Sequence, residues 1–151
     1  TPTGGGSSTA MVAPRVPLVD ADGLVARDWW RLFAQLVTDM QTALARAPQR
    51  LASVTLTASQ SAVYASPARA SSVISAATIT NPTAATVAVT IWIVPANGAP
   101  SGSNALLSAY ALEAGASVSV PNAAGQTVPA SGTVYATGAG VIFVLTGSVQ
   151  T

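Results

Sequence analysis

Val87-Ala88-Val89-Thr90-Ile91-Trp92-Ile93-Val94 is the stretch that decides the fold. Val87, Val89, Ile91 and Ile93 alternate with Ala88, Thr90, Trp92 and Val94. A period of two is that of a strand with one face in a core. Working outward, the same rule fits Leu56, Val63, Val73, Ile79, Val118 and Val120. It predicts strands at about 51–57, 62–66, 72–80, 86–94, 105–112, 116–120, 133–137 and 141–149. Turn signals separate them: Asn81-Pro82, Asn97-Gly98, Ala114-Gly115, Pro121-Asn122, Ser131-Gly132 and Gly138-Ala139-Gly140. Short strands at this spacing predict an antiparallel β-sandwich or jelly roll over 51–151, and so a mainly β protein. A weak echo, Val94-Pro95-Ala96 and Val128-Pro129-Ala130, reads as chance.

Upstream the chemistry changes. Residues 1–10 are Gly-, Ser- and Thr-rich and read as a flexible tail. Pro14, Pro17 and a turn at Asp20-Ala21-Asp22-Gly23 complete an extended N-terminal arm over 1–25. No charged segment followed by an apolar run opens the chain, so no signal peptide is expected, and Thr1-Pro2-Thr3 suits a chain that has lost its initiator Met. From about Ala26 to Ala47, within a segment 26–50, the pattern is helical, free of Gly and Pro and stopped by Pro48. Asp28 near the start and Arg46 near the end suit the helix dipole. Trp29, Phe33, Leu36, Met40, Ala43 and Ala47 step by 4, 3, 4, 3, 4, a coiled-coil seam, and Trp30, Val37 and Leu44 add a flanking row. A composition shift near Pro48 to Leu51 marks the boundary, because beyond Arg69 the only charged side chain is Glu113.

Composition narrows the function. Charged residues make up 7% of the 151-residue chain, against about 25% in an average soluble domain. The net charge is +1, with no basic stripe for nucleic acid. The apolar run Val141 to Leu145 is far short of the ~20 residues a membrane span needs. There is no Cys, His or Lys, so disulfides, thiolates and most acid–base machinery are excluded. Only Glu113, Tyr64, Tyr110 and Tyr135 could carry a proton in the β-domain, and its many hydroxyls have no adjacent base. Asp20, Asp22 and Asp28 build no cleft for glycoside hydrolysis, and Asp20-x-Asp22-Gly23 lacks the rest of a calcium loop. Gly4-Gly5-Gly6 lacks the strand and lysine of a phosphate loop. No catalytic, cofactor-binding or metal-ligating residue is expected.

The pair Trp29-Trp30 points elsewhere. Helix neighbours diverge by about 100°, so one narrow seam cannot bury both. Something must cover this face: the chain's own β-domain, identical helices, or another protein. The candidate interface is Trp29, Trp30, Phe33, Leu36, Val37, Met40 and Leu44. Trp92, Tyr110 and Tyr135 fit a core or subunit interface, or alternatively a sugar-stacking platform.

The stretch Pro17-Leu18-Val19-Asp20-Ala21-Asp22-Gly23-Leu24-Val25-Ala26-Arg27-Asp28-Trp29-Trp30-Arg31-Leu32-Phe33 resembles the start of small virion proteins of tailed bacteriophages. There a Pro-Leu-Val/Leu-Asp lead, a Gly turn and an aromatic, Arg-rich helix precede a β-rich module. Trp30 stands where Tyr is commoner. Leu56 to Val94 is similar too, with Tyr64, then Val73 to Asn81, then the strand quoted first. The resemblance implies a particle component, docked by its N-terminal segment, with no catalytic residues. It implies a short tail fibre or fibre-like appendage on the tail or head surface of the virion. The partners would be two further copies in a homotrimer, a portal, adaptor or tail protein, and a glycan of the host surface. The alternatives are a capsid decoration or head-fibre protein and, from another class, a carbohydrate-binding module.

Overall fold

The computed structural model describes residues 27–150. The expected arm over 1–25 and its turn lie outside the described residues. One helix, α1 (Arg27–Arg46), and a two-sheet sandwich form separate units, and each is described by itself. Two residues, Ala47 and Pro48, join α1 to the first strand.

The strands are β1 (Gln49–Thr55), β2 (Ser61–Ala65), β3 (Ser71–Thr80), β4 (Val87–Val94), β5 (Ala105–Leu112), β6 (Ser117–Ser119), β7 (Thr127–Val128), β8 (Thr133–Thr137) and β9 (Ile142–Gln150). One sheet runs β1-β9-β3-β6, with β7 also on β3; the other runs β2-β8-β4-β5. Every pairing is antiparallel. Within this order β1 pairs β9, β2 pairs β8, β3 pairs β6 and β7, and β4 pairs β5. The chain is thus one long hairpin, turned at the β4–β5 connection and rolled up until β9 meets β3 and β8 meets β4. That is the jelly-roll order, and the sandwich expected from the alternation is present.

The inner faces meet over Leu56, Ile74, Ile79, Ile91, Leu112, Phe143 and Leu145, all essentially solvent-free. On β4 the alternation holds, with Val89 and Ile91 buried and Val87 and Ile93 packed at the margin of the core. On β3 it does not. Val73 and Ile79 were expected on one face, but Ile74 and Ile79 are the buried residues. The register slips between Ile74 and Ala76, so a bulge at Ser75 flips the strand's first half. β1 slips at the same level, between Arg50 and Ala52. Beside the β3 bulge lies Gly147 of β9, opposite Gln49 on one side and Ile74 on the other. A Cβ there would collide with the Val73 carbonyl oxygen and lie 2.8 Å from Leu51 Cδ1.

Two further details organise the ends. Asn81 follows β3 and is fully buried. Its Nδ2 donates to the carbonyls of Ala85 (2.7 Å), Leu112 (2.9 Å) and Glu113 (3.1 Å), and its Oδ1 accepts from Thr83 N (3.0 Å) and Thr83 Oγ1 (2.7 Å). Its backbone bonds Ala116 and Gly115, both at 2.8 Å. The expected Asn81-Pro82 turn is therefore a post tying the β3–β4 and β5–β6 connections together. The two Val-Pro-Ala segments share a local conformation. Val94 to Gly98 and Val128 to Gly132 form the same turn, with left-handed Asn97 (φ 59°) and Ser131 (φ 57°). Each closes with Gly N donating to the Pro carbonyl, at 3.0 and 2.8 Å.

Gly147→Ala should cost about 3 kcal/mol or more, since backbone and not a flexible side chain blocks the new methyl. Gly102→Ala, where a Cβ meets nothing within 4 Å, is the control expected to change little. Asn81→Ala should cost about 3 kcal/mol by leaving buried carbonyls unpaired. Urea unfolding followed by circular dichroism checks all three.

Candidate interface on the helix and the outer sheet face

α1 forms over a stretch without Gly or Pro, with Asp28 in its first turn. At 100° per residue, Trp29, Leu32, Phe33, Leu36, Val37, Met40, Ala43 and Leu44 gather on one side, with Trp30 at its margin, over about 160°. Arg31, Gln35, Thr38 and Thr42 occupy the other side. There Gln35 Nε2 donates to Asp39 Oδ1 (3.1 Å), and the Thr38 and Thr42 hydroxyls bond the Ala34 and Thr38 carbonyls (each 2.9 Å).

The apolar side is largely open. Trp30 is 62% exposed, Met40 56% and Leu44 72%, and Phe33, Leu36 and Val37 are also exposed. Trp29 is half-buried. The Phe33 ring sits between the two indoles, with centroids 6.2 Å from Trp29 and 6.4 Å from Trp30, the latter edge-on at 79°. All seven expected interface residues therefore lie on one helix, and three of them form an aromatic cluster. The expected seam residue Ala47 falls beyond the end of α1.

The three aromatic residues considered for sugar stacking do not act together. Val89 and Ile91 point into the core, so Trp92 points outward; Val134 and Ala136 are buried, so Tyr135 does too. Trp92 and Tyr135 are directly opposite on β4 and β8. Ala62 of β2 and Ala105 of β5 extend the row across the sheet, over about 15 Å. Tyr110 is instead paired with inward-facing Val89 and packs against the core. Of the platform a pair is left, half-buried and flanked by alanine, with Thr90 opposite Thr137 in the same sheet.

A buried hydroxyl chain escaped the sequence reading. Tyr64 Oη meets Ser72 Oγ at 2.7 Å, Ser72 Oγ meets Ser66 Oγ at 2.8 Å, and Ser66 Oγ donates to the Ala70 carbonyl at 2.9 Å. It ends on a carbonyl, and no acid or base joins it, so it ties β2 to the start of β3. No sequence signal separates Ser72 from the many surface serines. A cleft of about 310 Å³ lies beside Ile93, Asn104, Leu106 and Gln126, and no charged side chain lines it. Asn104 there is already engaged with Ser101 N and the Ala99 carbonyl. Glu113 is exposed in the β5–β6 turn. Among the described residues no group of three His, Cys, Asp or Glu could hold a metal, and no helix is long and apolar enough to cross a membrane.

Comparison with protein-family models, with curated proteins and with solved structures finds no match.

The face assignments predict a sharp contrast within β4. Ile91→Ala should cost about 2–5 kcal/mol, the range for an aliphatic side chain removed from a core. Trp92→Ala and Tyr135→Ala, facing outward, should each cost less than about 1.5 kcal/mol. Thermal melts of the three variants check it.

Proposed function

We propose that this chain is a non-catalytic structural protein of a tailed-bacteriophage particle, a short tail fibre or fibre-like appendage attached through its N-terminal segment. The open apolar face of α1 carries the reading. Its exposed aromatic and aliphatic groups make a continuous patch of a size that a free monomer seldom leaves in water. The sandwich supports it from a second direction. With Arg50, Arg69 and Glu113 as the charged residues in its 100-odd positions, it has little of the charge by which free domains resist association. Permanent residence in a larger assembly fits both. The resemblance of residues 14–95 to small virion proteins supplies the kind of assembly. The jelly-roll order is compatible with it but does not select it, because the same architecture serves capsid proteins, lectins and enzymes.

In this reading Arg15 to Phe33 docks on a portal, adaptor or tail protein, and the sandwich projects or packs at the particle surface. A capsid decoration or head-fibre role uses the same parts, and location in a particle reconstruction separates the two. The outward Trp92–Tyr135 pair favours one addition, contact with a neutral glycan of the host surface, since aromatic faces stack on sugars without charge. Trp92→Ala should then abolish binding on a glycan array.

The test of the main reading is incorporation. Trp29→Ala with Phe33→Ala should leave the sandwich folded by circular dichroism and remove the chain from density-gradient-purified particles, as read by quantitative mass spectrometry. Normal incorporation of the double variant would overturn it.

A further inference from the structure

We infer that Asn97 is a site of spontaneous covalent modification, where the main chain turns a neutral carboxamide into a carboxylate with water as the co-reactant. The inference is independent of the proposed particle role. The chain holds four asparagines, Asn81, Asn97, Asn104 and Asn122. An asparagine is thermolabile where its carboxamide is free to turn and the next residue's nitrogen can reach it. Asn81 is held by the Ala85, Leu112 and Glu113 carbonyls and by Thr83, and Pro82 after it has no N–H. Asn104 is held by Ser101 N and the Ala99 carbonyl. Asn122 is exposed, but Ala123 after it is buried. Asn97 is exposed, and among the described residues its carboxamide has no hydrogen-bond partner. Gly98 after it has no side chain to stand in the way.

The turn selects this pair. Asn97 is left-handed (φ 59°), a conformation that asparagine adopts more readily than most residues. A Cβ on Gly98 would lie 3.0 Å from Val94 Cγ1, so the fold favours glycine there. The matching turn puts Ser131 and Gly132 in the same places. Serine has no side-chain carbonyl, so the two turns share a shape and differ in chemistry. At Asn97 the Gly98 nitrogen loses its proton and bonds Cγ, and the Cγ–Nδ2 bond breaks with release of ammonia. Water then opens the imide ring at either carbonyl, giving aspartate or isoaspartate. The new carboxylate stands at the end of the sandwich where exposed Arg69 lies. Val94 pairs Thr133 there, and Ser131 N donates to the Pro67 carbonyl at 3.1 Å. With Arg50, Arg69 and Glu113 as its other charges, the sandwich passes from net positive to neutral.

Incubation of the full chain at mildly alkaline pH, followed by peptide mapping with mass spectrometry, tests this. Asn97 should convert at least about tenfold faster than each of the other three asparagines. A synthetic peptide of residues 94–100 gives the rate without the fold. The protein should trail it by roughly tenfold, because the hydrogen bond from Gly98 N to the Pro95 carbonyl must open first. Isoaspartate among the products marks the ring route, since direct hydrolysis of the amide gives aspartate alone. Asn97→Ser, which copies the matching turn, should keep the sandwich melt and lose most of the ammonia release. The inference fails if Asn97 is intact after roughly a hundred half-lives of the peptide. It fails equally if another asparagine converts first, if aspartate is the sole product, or if Asn97→Ser releases ammonia as fast as the wild type.

Discussion

The ladder of β9 with its two neighbours is the contact on which the sandwich depends. β9 (Ile142–Gln150) pairs β1 on one side and β3 on the other, so it joins the first strand to the last and closes the roll. β1 has no other strand partner in its sheet, and β1 is where α1 is attached two residues away. The chain thus enters the sandwich from α1 at β1, whose ladder leads to β9 and on to β3. Gly147 stands beside the β3 bulge and one pair from the β1 bulge, and the close approach of Val73 leaves no room there for a side chain. The bulges bend the sheet over the core, and glycine is what lets the central strand follow.

The two units solve the problem of water differently. In the sandwich, apolar groups fill the inside and small alanine, serine and threonine residues surround the outward Trp92–Tyr135 pair. Its buried side-chain polar atoms are satisfied internally: among the described residues no buried side-chain nitrogen or oxygen lacks a hydrogen-bond partner. α1 reverses this economy. A helix of 20 residues is marginal alone, and its apolar side is its largest reserve of stabilising contact. The sandwich satisfies its own buried side-chain polar groups, whereas the helix leaves its apolar side open.

Legibility in the sequence followed the regularity of the backbone. The alternation of Val87 to Val94 was readable because β4 keeps its inward period over the stretch that matters. Val73 was misplaced because the bulge at Ser75 adds one residue, and a period of two cannot register an odd insertion. β7, two residues long, is too short to show a period at all. Asn81 looked like a turn residue, and nothing local says that its amide reaches Leu112, 31 positions away. Trp92 and Tyr110 looked like companions, but strand pairing turns them to opposite faces. The apolar face of α1 was legible for the opposite reason. A helix's faces follow from local spacing alone, so Trp29 to Leu44 could be assigned to one side without knowing the rest of the fold. What meets that side is not local information.

The direction of the strands sets what each end of the sandwich can be used for. Gln49 begins β1 beside Gly147, and Ser71 begins β3 beside Gln150, so the chain arrives at and leaves from the same end. The connections at 56–60, 81–86, 113–116 and 138–141 cluster at the other end. A reporter peptide appended after β9 would emerge at the end of the sandwich where the chain enters β1. One spliced between Thr57 and Gln60, a short exposed stretch at the opposite end, would emerge away from both termini of the sandwich.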